Sequence, residues 1–292
     1  MSSEISKRPI GIFDSGIGGL TVVKELIEIL PHENLVYFGD TARLPYGTKS
    51  EDSVKRFGLE DSYYLLEHKV KMIVVACNTV SATALPLLRE HFDIPVIGVI
   101  EPGVEKAISV SRTGNIGIIG TATTIRSGRY RAELVRRNPD LRIIEQPCPL
   151  FVPLVEEGLI EDEATYIIAR RYLTPLIENH VDTVVLGCTH YPVLKEVIRK
   201  IMGEDVVLVD SGEAAAGKVK EILADKNMIN HQTRRPKQKF YVSDLPFKFQ
   251  DIAERFLQKS LPHIELIDFD QFLVKKGKKF QQLIDNLILQ DY

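Results

Sequence analysis

Short runs of Val, Ile and Leu alternate along this chain with longer stretches whose apolar residues recur every three or four positions. The short runs predict strands over residues 9–13, 34–39, 70–76, 95–100, 115–120, 141–146, 181–187 and 206–209. Their nearly unbroken apolar content points to strands buried on both faces, as in parallel sheets. The longer stretches predict helices over 20–30, 50–68, 81–91, 104–111, 125–137, 161–179 and 193–202. In the first of these, Leu20, Val23, Ile27 and Leu30 share one helical face. Strand-then-helix alternation predicts an α/β fold with parallel sheets and right-handed crossovers. After residue 209 the pattern predicts a helix over 213–223, short strands over 240–242 and 264–267, and terminal helices.

The pattern also repeats. Ile73-Val-Val-Ala-Cys77-Asn-Thr and Val184-Val-Leu-Gly-Cys188-Thr-His both read as apolar strand, small residue, cysteine, polar pair, then helix. Upstream, Ile10-Gly-Ile-Phe-Asp14 has a counterpart in Ile116-Gly-Ile-Ile-Gly120. The two offsets are 111 and 106 residues, which predicts two half-chains of similar topology. Any two Val-rich strands look somewhat alike, so the repeat alone leaves duplication and coincidence both open. The tail beyond 209 lacks a third copy of the cysteine strand and is expected to complete the first half.

Composition narrows the function classes. Lys and Arg number 37 against 40 Asp and Glu, a net charge of −3. No nucleic-acid partner is expected from bulk positive charge. The clusters Arg234-Arg235-Pro-Lys237 and Lys275-Lys-Gly-Lys-Lys279 are expected to be solvated surface. No membrane is expected, since the longest apolar run, from Met72 to Cys77, is far short of the ~20 residues of a span. Residues 1–8 are polar and do not read as a signal peptide. Three scattered cysteines, Cys77, Cys148 and Cys188, make no disulfide scaffold and no C-x-x-C metal or redox pattern. A reducing, cytoplasmic location follows as the expectation, with no metal site.

Ligands of open parallel sheets bind beyond the carboxyl ends of the strands. The residues there are Asp14-Ser15-Gly16-Ile17-Gly18-Gly19, Gly39-Asp40-Thr41, Cys77-Asn78-Thr79, the run Gly120 to Thr124, and Cys188-Thr189-His190. The glycine-rich loop reads either as a structural turn capped by Asp14 or as a set of free N–H groups for an anion. It matches neither the dinucleotide fingerprint nor the P-loop. A thiol at a strand end entering a helix is expected to have a lowered pKa, with Asp14 or His190 nearby to hold its proton. One such cysteine reads as an ordinary small core residue; two at equivalent places read as a pair. Cys148, between Pro147 and Pro149, sits in no such turn and reads as structural.

Two thiols on opposite sides of a cleft suit inversion of a carbon stereocentre, one removing a proton from one face and the other delivering one to the opposite face. Without pyridoxal phosphate, for which no lysine at a strand end is evident, the carbanion needs hydrogen bonds to the substrate carboxylate. Ser15, Asn78, Thr79, Thr189 and Thr121 to Thr124 are suitable donors.

These residues resemble those of the glutamate racemases, in the aspartate/glutamate racemase superfamily. The resemblance rests on Gly11-Ile-Phe-Asp-Ser-Gly-Ile-Gly-Gly-Leu20, Gly39-Asp-Thr-Ala-Arg-Leu-Pro-Tyr-Gly47, Ala76-Cys-Asn-Thr79 and Leu186-Gly-Cys-Thr-His-Tyr-Pro192. Supporting stretches are Gly98-Val-Ile-Glu-Pro102, Gly120-Thr-Ala-Thr123, Pro153-Leu-Val-Glu156 and Val209-Asp-Ser-Gly212. It implies two pseudo-symmetric α/β domains with mainly parallel sheets flanked by helices and the active site in the cleft between them. The first domain would be residues 1–98 plus 210–292, the second 99–209. It implies cofactor-independent interconversion of L- and D-glutamate, supplying D-glutamate for peptidoglycan, by a homodimer. Cys77 would deprotonate D-glutamate and Cys188 L-glutamate. Asp14 would assist Cys77, and His190 and Glu156 would assist Cys188. Substrate contacts would come from Asp14, Ser15, Tyr46, Gly47, Asn78, Thr79, Thr121, Thr189 and His190. Activation by a cell-wall precursor, seen in relatives with longer N-terminal extensions, is not expected with eight residues before the first strand.

Rival readings remain distinguishable. A racemase of aspartate or a hydantoin would keep the thiols and change side-chain recognition. A two-domain amino-acid sensor would have no use for paired cysteines. A thiol oxidoreductase would want a C-x-x-C pair.

Overall fold

The computed structural model describes residues 2–245, 249–260 and 263–290. Among the described residues, ten strands form two sheets. They are β1 (Ile10–Asp14), β2 (Leu35–Gly39), β3 (Met72–Val75), β4 (Val96–Gly98), β5 (Asn115–Gly120), β6 (Arg142–Pro147), β7 (Thr183–Gly187), β8 (Val207–Asp210), β9 (Gln238–Val242) and β10 (Ile264–Leu266). The first sheet runs β10-β9-β2-β1-β3-β4 and the second β6-β5-β7-β8. Every pairing is parallel.

The unbroken apolar runs have a simple cause. Side chains alternate across a strand, and both faces of each sheet are covered. Ile10, Ile12, Leu35, Tyr37, Met72 and Val74 enter one core cluster, whereas Phe13, Val36, Phe38, Ile73 and Val75 enter another. In the second sheet, Ile119, Val184 and Leu186 join the first cluster, and Ile116, Ile118 and Val185 form a third. One apolar core is therefore continuous between the two sheets. The helices Leu20–Ile29 and Ser211–Asp225 pack together within it. At roughly 1.5–3 kcal/mol per fully buried large apolar side chain, this shared core is the main attraction holding the halves together.

With β9 and β10 set aside, the two sheets have the same order, the second strand outside the first, then the third, then the fourth. Thus β1 corresponds to β5 and β3 to β7, the pairs that the sequence repeat singled out. The segment after residue 209 supplies β9 and β10, which extend the first sheet beyond β2.

Several boundaries differ from the sequence reading. Residues 78–91 form two helices, Asn78–Thr83 and Leu85–His91, meeting at Ala84. Residues 122–137 also form two, Ala122–Arg126 and Arg129–Arg137. The break falls at Gly128, whose φ of 62° is in the left-handed region that glycine occupies without strain. Helix Phe151–Glu156 is too short for its period to be read from sequence. The Arg234, Arg235 and Lys237 side chains are exposed, as expected. Lys275, Lys278 and Lys279 are exposed too, while Lys276 is partly buried and pairs with Glu67. No helix among the described residues is long and apolar enough to cross a membrane.

Candidate active site

Parallel register aligns the carboxyl ends of neighbouring strands. Asp14 pairs with Gly39 at the end of β1 and β2, and Gly120 with Gly187 at the end of β5 and β7. The turns after β1 and β3 therefore lie side by side on one half, and those after β5 and β7 on the other. Gly18 shows how closely the halves approach. A Cβ there would lie 2.2 Å from Thr189 Oγ1 and 2.6 Å from His190 Nδ1. The Thr21 hydroxyl also donates to the Thr189 carbonyl at 3.2 Å. Cys77 and Cys188 are 5% and 6% exposed, so the cleft is closed over both thiols.

The loop glycines serve close approach. Gly16, Gly18 and Gly19 are absent from the positive-φ positions, and tight turning is not their role. Nor are the loop N–H groups all free for an outside anion. The N–H groups of Gly19, Gly16 and Ser15 act on the Asp14 carboxylate, with Gly16 N to Oδ2 at 3.0 Å. Asp14 is completely buried, and burial raises its carboxyl against the lowering effect of His190 and these N–H groups. Its Oδ1 accepts from Thr189 Oγ1 at 3.4 Å.

Cys77 is the N-cap of helix Asn78–Thr83, the setting expected to lower its pKa. The structure reverses that expectation. Burial first, and the neighbouring Asp14 charge second, push the thiol up to about 12. The Val80 N–H and the Ser15 hydroxyl bond to the sulfur and pull the other way, but less. A three-turn-or-shorter helix end cannot offset removal from water. At neutral pH Cys77 is a thiol. Charge on Cys188 raises it further, so the two sulfurs feel one another across the cleft.

The Cys188 side is built differently. Cys188 leads into a 3-10 turn, Tyr191–Leu194, rather than directly into an α-helix. His190 Nδ1 lies 4.0 Å from Cys188 Sγ, and Nε2 lies 3.1 Å from Glu156 Oε1. Burial disfavours the imidazolium, but Cys188 and Glu156 together outweigh burial and raise His190 to about 10. His190 therefore carries its proton at neutral pH. The Phe256 ring stands edge-on to the imidazole, with centroids 5.2 Å apart.

Beside the Cys77 turn is a floor of hydroxyls from both halves. Thr79 Oγ1 is 3.1 Å from Thr121 Oγ1 and 3.3 Å from Thr124 Oγ1, and the last two are 3.0 Å apart. Gly47 belongs to the same wall. Its carbonyl accepts from Thr123 Oγ1 at 2.8 Å, and a Cβ on it would lie 2.8 Å from Thr121 Cβ. Tyr46 is adjacent, but its hydroxyl is bound by Asp40 and Asp61. Its backbone continues into Gly47 in the turn Tyr46–Thr48. Arg43 braces this turn from behind, pairing with Asp40, Glu60 and Asp61. Sequence reasoning missed this support, because Glu60 and Asp61 sit in a long helix with nothing to mark them as inward-facing.

The fold thus brings together Asp14, Ser15, Cys77, Thr189, His190, Cys188 and Glu156, with Gly47, Thr79 and Thr121 beside them. Thr21, Thr124 and Phe256 join them without having been named as individual site residues. The only available signal was position, since Thr21 and Thr124 lie just past the carboxyl ends of β1 and β5. Cys148 also follows a strand, β6, and precedes a short helix, contrary to the sequence reading of its surroundings. It is wholly buried, and its carbonyl accepts from the Tyr191 hydroxyl at 2.8 Å.

A closed cleft with a buried thiol on each of two facing halves is the arrangement a racemase-type site calls for. A profile of the Asp/Glu/hydantoin racemase family matches residues 10–219, and the chain belongs to that family. Within it, the likeness runs to glutamate racemases. The glutamate racemase of Geobacter metallireducens is 48% identical over 263 residues, covering 90% of this chain and 97% of that protein. The crystal structure of the Francisella tularensis glutamate racemase in complex with D-glutamate superposes with a TM-score of 0.86. It is 40% identical and covers 91% of this chain and 99% of that one. A glutamate racemase isoform from Bacillus anthracis gives 0.86 at 39% identity, covering 89% and 97%.

Proposed function

We propose that this protein interconverts L- and D-glutamate, without a cofactor, one cysteine taking the α-proton and the other giving a proton to the opposite face. The observation carrying this reading is the pair of buried thiols at equivalent strand ends, each with its own proton-handling partner. From L-glutamate, the Cys188 sulfur as thiolate takes the α-proton, breaking the Cα–H bond. The Cys77 thiol then gives its proton to the opposite face of the carbanion. The reverse direction exchanges the roles. The hydroxyl floor and backbone donors bind the substrate carboxylate and stabilise the carbanion as charge spreads onto it. Asp14, its carboxyl raised by burial, takes or returns the Cys77 proton. His190, protonated and held by Glu156, stabilises the Cys188 thiolate and gives it a proton when Cys188 is to act as the acid.

Glutamate is favoured over aspartate by the relatives at 48% and 40% identity and by the D-glutamate bound in one of them. The same likeness supports a cytoplasmic homodimer that supplies D-glutamate for peptidoglycan. We assign residues 1–98 with 210–292 to one domain and 99–209 to the other. The test is incubation of pure protein with L-glutamate in D₂O, with L-aspartate in parallel. The expected result is a circular-dichroism signal decaying to zero with deuterium entering at Cα, faster for glutamate. No exchange with glutamate overturns the proposal; faster exchange with aspartate reassigns the substrate.

A further inference from the structure

Two buried hydroxyls outside the proton-transfer machinery tie the two cysteine turns together. Tyr130 lies in helix Arg129–Arg137 and is 1% exposed. Its ring packs on Gly187, the residue before Cys188; a Cβ on that glycine would lie 3.2 Å from Tyr130 Cε2. Its hydroxyl donates to Asn78 Oδ1 at 2.7 Å, and Asn78 is the residue after Cys77. Ser211, at the start of helix Ser211–Asp225, makes the second link. Its hydroxyl donates to the Leu186 carbonyl on β7 at 3.0 Å and accepts from Asn78 Nδ2 at 3.3 Å.

The Asn78 amide is therefore gripped at both ends by groups anchored on the terminal residues of β7. An amide has distinct acceptor and donor ends. The Tyr130 donor takes the oxygen, and the Ser211 oxygen takes the nitrogen, so only one orientation of Asn78 satisfies both. Among the links between the halves, this one joins the residue following one thiol to the strand carrying the other.

We infer that Tyr130 and Ser211 are positioning residues that fix the Cys77 turn against the end of β7 and so set the separation and aim of the two thiols. This rests on the two-cysteine reading above. Proton transfer to opposite faces of one carbon requires both sulfurs at reacting distance at once, so small displacements weigh on the chemical step rather than on binding.

The test is steady-state kinetics in both directions for Tyr130→Phe, Ser211→Ala and Ser211→Thr, with thermal midpoints and the primary deuterium isotope effect at Cα. Tyr130→Phe and Ser211→Ala are expected to lower kcat about tenfold, the scale of one lost hydrogen bond, with KM changing less than about threefold. The two directions must fall together in kcat/KM, because enantiomers are equally stable. The isotope effect should rise, and Ser211→Thr, which keeps the hydroxyl, should recover most of the rate. If Tyr130→Phe does not fold, the Ser211 pair decides alone. Rates within twofold of wild type overturn the inference, as does a loss with unchanged isotope effect that follows the thermal midpoint and is not rescued by threonine. Wild-type protein that exchanges no α-proton removes the parent reading and this one with it. Wild-type exchange with indifferent variants removes only this one.

Discussion

The Cys77 and Cys188 turns occupy the same place in two sheets of the same strand order, yet their surroundings differ in kind. Cys77 caps a helix, faces a buried carboxyl and is pushed up to about 12. Cys188 enters a 3-10 turn and faces an imidazole raised to about 10, clamped from behind by Glu156. A repeated topology delivers two sulfurs to two walls. The loops then give one sulfur an acid that burial keeps from ionising easily and the other a cation. The lesson is that position is inherited from the sheet, while proton affinity is set by whichever loop side chains are desolvated beside it.

Removing either sulfur breaks the comparison most severely. Cys77→Ala and Cys188→Ala are each expected to cut racemisation about a thousandfold, within the range for loss of a general acid or base. Cys188→Ala should retain one-sided chemistry, such as elimination from a glutamate analogue with a good leaving group, initiated by Cys77. Polarimetry of glutamate alongside release of the leaving group measures both.

Exchanging the partners sharpens it. Asp14→Asn removes a charge that raises Cys77, so the midpoint of Cys77 alkylation against pH should fall from near 12. Glu156→Gln removes support for the His190 charge, so the alkaline limb of kcat/KM should move below about 10 while Cys77 alkylation stays put. The linkage has a definite sign. His190 is raised above its ordinary 6.5, so its contribution to stability is complete below that value and is lost as pH rises through about 10. In Glu156→Gln the fall in urea midpoint across this window should shrink.

The third thiol is the control and the smallest effect. Cys148 is wholly buried, its thiol raised well above the ordinary value chiefly by burial. Cys148→Ala should leave kcat within twofold and cost about 1 kcal/mol of stability, the scale of one lost buried group, read from denaturant unfolding.

Much of this was legible in the chain. Unbroken apolar runs placed the inner strands to within a few residues, because strands covered on both faces leave no polar alternation to confuse them; β6 and β10, at the sheet edges, are partly exposed. The repeat located β1, β3, β5 and β7, and the residues just past them. Less legible were features made by contacts between distant segments. Nothing near residue 128 in the hydrophobic pattern marked a break between helices; the glycine alone did. Asp40 and Tyr46 stood in a quoted motif, but their partners Glu60 and Asp61 were hidden in a helix. Tyr130 carried no signal, and Ser211 stood in a quoted stretch with nothing to mark its role, since each meets Asn78, 52 and 133 residues away.

By itself, then, the sequence determined an α/β fold with parallel sheets, and it placed Cys77 and Cys188, unlike Cys148, just past strands that occupy the same position in the two sheets. Those follow from local pattern, which alternation and periodicity write into neighbouring residues. Only the tertiary structure decided that Asp14 takes up loop N–H groups, that Cys77 rests as a thiol, and that His190 keeps its proton. Each of these depends on how far a group is removed from water and which charge it meets there, and both are set by the closing of one half on the other.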